Sequence, residues 1–342
     1  MKKIAFIAIA LIGFNSYAQG EVEEVIEEAA KKLSISGSVD TYFRTVLSAS
    51  DNGSPIIDPD GFGQTSFADE TGFALGMGNI IVGYESGKVG AVVDLVFGPR
   101  GDAAAGGYNL NQLYAYWNVS DAVTLTAGRF NTYLGYEVIS PVGNFNYSTS
   151  YLFSNGPFSH VGLKADFALS DDFSLMLAVM NATDVNNNVN GAYSFGAQLG
   201  YSGQYLNFYY DDGDVLGFEV DYTGGFDIAD TFYLGINAAY ASNDDSESGF
   251  YGAALYPQFT LSDSFALGLR GEYFAYFVDD SAIDDSPVIA ATLTGSYSVG
   301  NLMIKPEIRL DSWGNDIEPY LDNDAAATNS LSSFTIAAIY GF

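Results

Sequence analysis

Twelve charged side chains of this sequence sit at alternate positions of otherwise apolar segments, and that spacing limits the chemistry open to them. In residues 303–311, Lys305, Glu307 and Arg309 share one parity while Ile304, Pro306, Ile308 and Leu310 share the other. Arg270 and Glu272 oppose Leu267, Leu269 and Tyr273; Lys164 and Asp166 oppose Leu163, Ala165 and Phe167; Glu219 and Asp221 oppose Phe218, Val220 and Tyr222. Asp40, Arg44 and Asp94 complete the set. Successive side chains of a strand point to opposite faces, so each segment has one wet, charged face and one apolar face. Charges so placed pair across neighbouring strands. Around a pore they also set a transverse field that sorts ions and dipolar solutes. Catalytic chemistry fits poorly. There is no Cys and a single His. His160 beside Ser159 suggests a Ser–His pair, but a strand-end histidine is expected to be structural. Gly76-Met77-Gly78 lacks the strand–turn–helix setting of a phosphate loop. The expectation is a protein that is not an enzyme and has no cofactor.

The longest connection without alternation is 131–159. It holds Tyr133, Tyr136, Phe145, Tyr147, Tyr151, Phe153 and Phe158, the amide Asn146, and a single charge, Glu137. Long loops within compact folds are usually functional or disordered, and this one is too apolar for a freely solvated loop. We expect it to fold inward and narrow a channel, with Tyr133, Tyr136, Glu137, Asn146, Tyr147, Tyr151 and Phe153 at the constriction. A rim cap packed on the strand tops is the alternative.

The elements that would position these groups are strands. Lys2 and Lys3, the apolar residues 4–14 and Ser16-Tyr17-Ala18 form an export-signal pattern with cleavage before Gln19. Residues 19–32 suit a short acidic helix, with acids first and Lys31-Lys32 last. From Leu33 the period becomes two. Sixteen strands are predicted near 34–47, 72–84, 88–97, 109–119, 122–130, 160–169, 172–181, 191–202, 204–211, 215–223, 231–241, 250–261, 264–277, 288–299, 301–311 and 332–342. Short links alternate with long ones, except at 212–214 and 224–230. No later apolar run approaches the roughly 20 residues of a spanning helix. A chain that spans a membrane with strands must close into a barrel, because lipid leaves no backbone group to water. The fold class is therefore all-β: a transmembrane antiparallel barrel of about sixteen strands in an up-and-down meander, occupying 33–342. Aromatics near strand ends, among them Tyr42, Tyr84, Phe97, Trp117, Tyr209, Tyr210 and Phe274, suit interfacial belts, or plain strand propensity.

The formal charge is −30 with only 16% charged residues, and loss of Lys2 and Lys3 makes the balance more acidic. Nucleic acid is excluded as a partner, since its phosphates would be repelled. Acids crowd the expected outer loops: Asp58, Asp60, Asp211, Asp212, Asp214, Asp244, Asp245, Glu247, Asp279, Asp280, Asp284, Asp285, Asp316, Glu318, Asp322 and Asp324. They suit a solvated surface amid lipopolysaccharide; weak divalent-cation binding is the alternative, without the spacing of a calcium loop.

Residues 128–162 carry Gly128-Arg129-Phe130, Gly135-Tyr136-Glu137, Asn146-Tyr147-Ser148 and Pro157-Phe158-Ser159-His160-Val161-Gly162. This resembles the OmpL-like outer-membrane β-barrel porins, in the style of their Bacteroidota members, over about a tenth of the chain. The resemblance implies a porin of the bacterial outer membrane without naming its solute. The alternating segment 333–342 ends on Phe342, a terminus similar to the signal that barrel-assembly machinery recognises. The expected function is passive diffusion of small hydrophilic solutes, leaning toward cations, with a homotrimer by analogy. A closed structural or ligand-binding barrel is the other reading.

Overall fold

Alternation produces a closed sheet. The computed structural model describes residues 32–48, 56–57, 62–213, 215–280 and 285–342. The expected export signal, the 19–31 part of the acidic helix, and Asp58, Asp60, Asp214 and Asp284 lie outside the described residues. The elements run β1 (Leu33–Val46), β2 (Gly72–Ser86), β3 (Val89–Phe97), α1 (Pro99–Ala105), β4 (Leu110–Ser120), β5 (Val123–Asn131), α2 (Tyr151–Asn155), β6 (Ser159–Ala168), β7 (Phe173–Met180), β8 (Ser194–Tyr201) and β9 (Gln204–Tyr210). There follow β10 (Phe218–Ala229), β11 (Phe232–Asn243), β12 (Ser248–Ser262), β13 (Phe265–Val278), β14 (Ser286–Val299), β15 (Leu302–Trp313), β16 (Tyr320–Leu321), β17 (Ala327–Thr328) and β18 (Ser330–Gly341).

β1 to β15 and β18 close into one antiparallel barrel, each strand beside its neighbour in sequence, while β16 and β17 form a separate hairpin within the last loop. The seam joins first and last strands, with Asp40 opposite Ile339 and Arg44 opposite Thr335. It ends where Phe342 and Gly37 exchange backbone hydrogen bonds of 2.9 and 3.0 Å. Closure removes every free edge, which a sheet in lipid requires.

Two expectations of loop length needed correction. β10 continues to Ala229 rather than stopping near 223, and the link after β9 occupies 211–217. Gly224 and Gly225 made the segment read as a turn, because glycine weakens a strand. Here they lie beneath side chains: a Cβ at Gly225 would come within 1.9 Å of the Tyr233 hydroxyl. With β10 extended both of those exceptions go, while the link 244–247 on the long side is four residues, the length of 169–172 on the short side.

The alternation is visible along β15, where Lys305, Glu307, Arg309, Asp311 and Trp313 are buried while Ile308 and Leu310 are about half exposed on the lipid side. Some aromatics taken for belt residues face inward instead. Tyr42, Tyr209 and Phe274 are buried, whereas Tyr84, Phe97, Trp117 and Tyr210 are exposed. The largest apolar cluster lies inside the barrel. Phe250, Tyr256, Phe274 and Trp313 meet Tyr151 and Leu152 of α2 and Tyr320 of β16. Each fully buried apolar side chain contributes about 1.5–3 kcal/mol, so this interior is a core as well as a lumen wall.

Candidate functional site

The inward faces of β13, β14, β15, β18 and β1 make a wall of charged rungs separated by small residues. Arg270, Thr292, Arg309 and Ser333 share one row; Thr294, Glu307, Thr335 and Arg44 share another. The small Thr and Ser side chains leave room for a second layer against the wall. Residues 131–159 occupy that room.

Most charges of this wall are spent on the loop's backbone. Arg270 donates to Glu137 Oε1 (2.7 Å), the Ser148 carbonyl (2.6 Å), the Thr149 carbonyl (3.1 Å) and Thr292 Oγ1 (3.1 Å). Arg309 reaches the same Thr149 carbonyl at 2.7 Å and is held by Asp311 at 2.8 Å. Glu307 accepts from the N–H groups of Tyr147 (2.8 Å) and Ser148 (3.2 Å), and from Thr294 Oγ1. Glu272 accepts from the N–H groups of Tyr151 (3.0 Å) and Leu152 (2.8 Å), the unpaired donors at the start of α2. Lys305 donates to the carbonyls of Pro141 and Asn144. Asp221, across the barrel, accepts from the Gly135 N–H at 3.1 Å.

The loop's own polar groups complete the contacts. Glu137 accepts from the Ser150 N–H (2.7 Å) and hydroxyl (2.9 Å), while the Ser150 hydroxyl caps α2 through Phe153 N–H. Asn146 donates to Thr294 and Tyr147 to Asp40, at 2.7 and 2.6 Å. Tyr133 donates to the Phe208 carbonyl. Tyr136 stacks on Tyr256 at 4.3 Å, Tyr151 meets Trp313 edge-on at 5.5 Å, and Phe153 packs against both Phe67 and Phe158, which also stack on each other. Burial raises the hydroxyl pKa of Tyr133, Tyr136, Tyr147 and Tyr151, and at Tyr147 the Asp40 carboxylate adds to it. An Arg–Glu pair with both members buried is costly to break from one side, about 3–5 kcal/mol.

Other charges of the predicted set stand apart from the loop. Arg44 pairs with Asp69, whose pKa burial raises and Arg44 lowers. Asp94 accepts from Asn79 and Asn111. Lys164 and Asp166 form a 2.8 Å pair that is partly open to water. Glu219 is buried with Oε2 unpartnered.

One buried arginine, Arg100, escaped the sequence reading, and the direction of Arg129 stayed open in it. Arg100 belongs to a Gly/Ala-rich connection without periodicity, and its guanidinium donates to the Tyr147 carbonyl. The orientation of Arg129 depended on Gly128, which adopts φ +133 where a Cβ would meet the Leu113 carbonyl at 2.2 Å. Arg129 then bonds the Asn111 carbonyl and Asn186, at 3.0 and 2.6 Å. Ser159 and His160 do not pair: the serine donates to Asp184, and His160 Nε2 meets Thr132. Among the described residues no group of three acidic or histidine side chains is arranged to hold a metal.

Below the loop, near the short turns, lies a cavity of about 350 Å³ lined by Tyr136, Asn144, Tyr256, Gln258 and Lys305. On the long-loop side is one of about 240 Å³ lined by Tyr42, Thr65, Asp69, Arg100 and Tyr147.

Comparison with known proteins agrees with this architecture. The family described as "Putative beta-barrel porin-2, OmpL-like" matches residues 32–342. Among solved structures, the outer membrane channel DcaP of Acinetobacter baumannii is similar at TM-score 0.58 and 15% identity, covering 91% of this chain and 97% of that one. An anion-selective porin from Comamonas acidovorans is similar at TM-score 0.59 and 11% identity, covering 91% and 99%. OmpT of Vibrio cholerae, in a trimer form, is similar at TM-score 0.52 and 9% identity, with the same coverage. No curated protein matches the chain.

Proposed function

The chain belongs to the OmpL-like porin family and is an integral outer-membrane barrel, and from that premise we propose that it passes small hydrophilic solutes by passive diffusion through a bore that residues 131–159 narrow. The observation that carries this reading is the docking of the loop's backbone on Arg270, Glu272, Lys305, Glu307 and Arg309. A loop fixed by charged groups on its backbone presents a defined outline to a solute. Deletion of 136–153 is expected to raise single-channel conductance severalfold; unchanged conductance would remove the loop from the bore.

The ion preference is argued from this chain alone, because 11% identity to an anion-selective porin is a likeness of fold. An overall charge of −30 with acidic outer loops enriches cations at the mouth and slows anions. A salt-gradient reversal potential favouring potassium over chloride is expected. The opposite sign overturns the preference.

A second reading has its own support. The apolar cluster of Phe250, Phe274, Trp313, Tyr151 and Tyr320 fills part of the interior, as a closed or gated barrel would. Liposome swelling with graded sugars separates the two, since only the open channel admits the smaller sugars. Residues 1–18 as a cleaved export signal, Phe342 as the contact for barrel assembly, acidic loops set among lipopolysaccharide, and a homotrimer like the trimer form of the Vibrio protein belong to the same proposal. No cofactor is required by it.

A further inference from the structure

Arg100 is buried to 4% exposure, yet two of its guanidinium nitrogens, Nε and Nη1, have no hydrogen-bond partner. Its remaining nitrogen, Nη2, donates to the Tyr147 carbonyl at 3.3 Å. Aromatic rings stand over the group, Phe67 at 4.4 Å and Tyr147 at 5.3 Å from ring centroid to guanidinium carbon. A guanidinium donates only in its own plane, so rings over its faces stabilise the charge while leaving the donors unanswered. Arg270, Lys305 and Arg309, by contrast, spend their charge on loop carbonyls. Arg100 retains unspent donors, and a buried cation in that state is unfavourable until an acceptor arrives.

The cavity that Arg100 lines measures about 240 Å³, below the range of about 300–1,000 Å³ usual for drug-sized ligands. Its wall adds the hydroxyl residues Tyr42, Thr65 and Ser66 and, at the exposed rim, Glu70. Asp69 also lines it, but its carboxylate is engaged by the Thr65 N–H at 2.7 Å and by Arg44 at 3.9 Å. The site thus offers an unspent cation inside and a carboxylate at its edge. A plain anion reaching it must cross the field of a strongly acidic protein. A solute bearing both charges meets no such barrier.

We propose that this cavity binds small zwitterionic solutes, the ligand's carboxylate on Arg100 and its ammonium toward Glu70. The site deepens the porin reading, since it presumes a barrel that small hydrophilic solutes can enter. It would select amino-acid-sized zwitterions over sugars of the same size.

Calorimetric titration of the detergent-solubilised full chain tests this without requiring conduction, so a failed sugar-flux experiment and a failed titration strike different claims. Three probes share one carbon skeleton: L-leucine, 4-methylpentanoate without the amine, and 3-methylbutylamine without the carboxylate. L-Leucine is expected to bind saturably, at least tenfold more tightly than either single-charge probe. Arg100→Gln should abolish that binding, Arg100→Lys should retain part of it, and Glu70→Gln should bring leucine to the affinity of 4-methylpentanoate. Equal affinity for all three probes, or no binding of leucine, overturns the proposal. So does wild-type affinity in Arg100→Gln. Should the Arg100 variants fail to fold, Glu70→Gln decides alone, and unchanged leucine affinity in it is likewise contradictory.

Discussion

The two walls of this barrel obey one alternation rule and put it to different use. β12, β13 and β14 are 15, 14 and 14 residues long, whereas β7, β8 and β9 are 8, 8 and 7. On the long-stranded side, Arg270, Glu272, Lys305, Glu307 and Arg309 are buried and bonded to the loop. On the short-stranded side, Lys164 and Asp166 bond each other and remain partly in water. A charge that faces a lumen is therefore not thereby a charge that faces the solute. What covers it decides whether it acts as a structural clamp or as part of the field.

The comparison breaks most visibly at Arg270. Arg270→Ala leaves Glu137 buried without its cation and frees the carbonyls of Ser148 and Thr149. About 3–5 kcal/mol of docking energy should be lost, and single-channel recordings should show a larger, noisier conductance. Glu307→Gln is milder, because an amide oxygen can still accept from one of the two loop N–H groups. About 1.5–3 kcal/mol is expected for the weakened charge-assisted bonds, read as a lower thermal midpoint with a modest rise in conductance. The smallest effect belongs to the wet wall. Lys164→Gln should change stability by no more than about 1 kcal/mol and leave conductance nearly unchanged. Its reversal potential should move further toward cations, since Asp166 loses its counter-charge. A Lys164→Gln phenotype as large as that of Arg270→Ala would erase the distinction between the walls.

The barrel was legible in the sequence because period-two alternation is local and recurs sixteen times. Where it failed, at Gly224-Gly225, the missing information was tertiary: Tyr233 of one neighbouring strand lies over Gly225, and Gln204 of the other lies over Gly224. Tyr42, Tyr209 and Phe274 show the same limit, since an aromatic near a strand end suits either face until the barrel is closed. For the loop, the motif residues Glu137, Asn146, Tyr147 and Ser148 could be picked out, but their partners could not. Tyr147 and Glu307 are 160 positions apart, and Glu137 and Arg270 are 133 apart. Spacing carries no signal over such separations. Arg100 was missed for a plainer reason. It sits among Gly and Ala with no alternation to mark its direction.

The docking of 131–159 on the charged wall can be tested most directly with a thiol, because the chain contains no cysteine of its own. Thr149 is fully buried and its hydroxyl has no hydrogen-bond partner, so Thr149→Cys removes no bond there. In proteoliposomes, a charged, membrane-impermeant methanethiosulfonate reagent should modify Thr149→Cys slowly in the otherwise native chain. In the Arg270→Ala background modification should be faster by two or more orders of magnitude. Rapid and equal modification in both backgrounds would show that the loop does not rest on that wall.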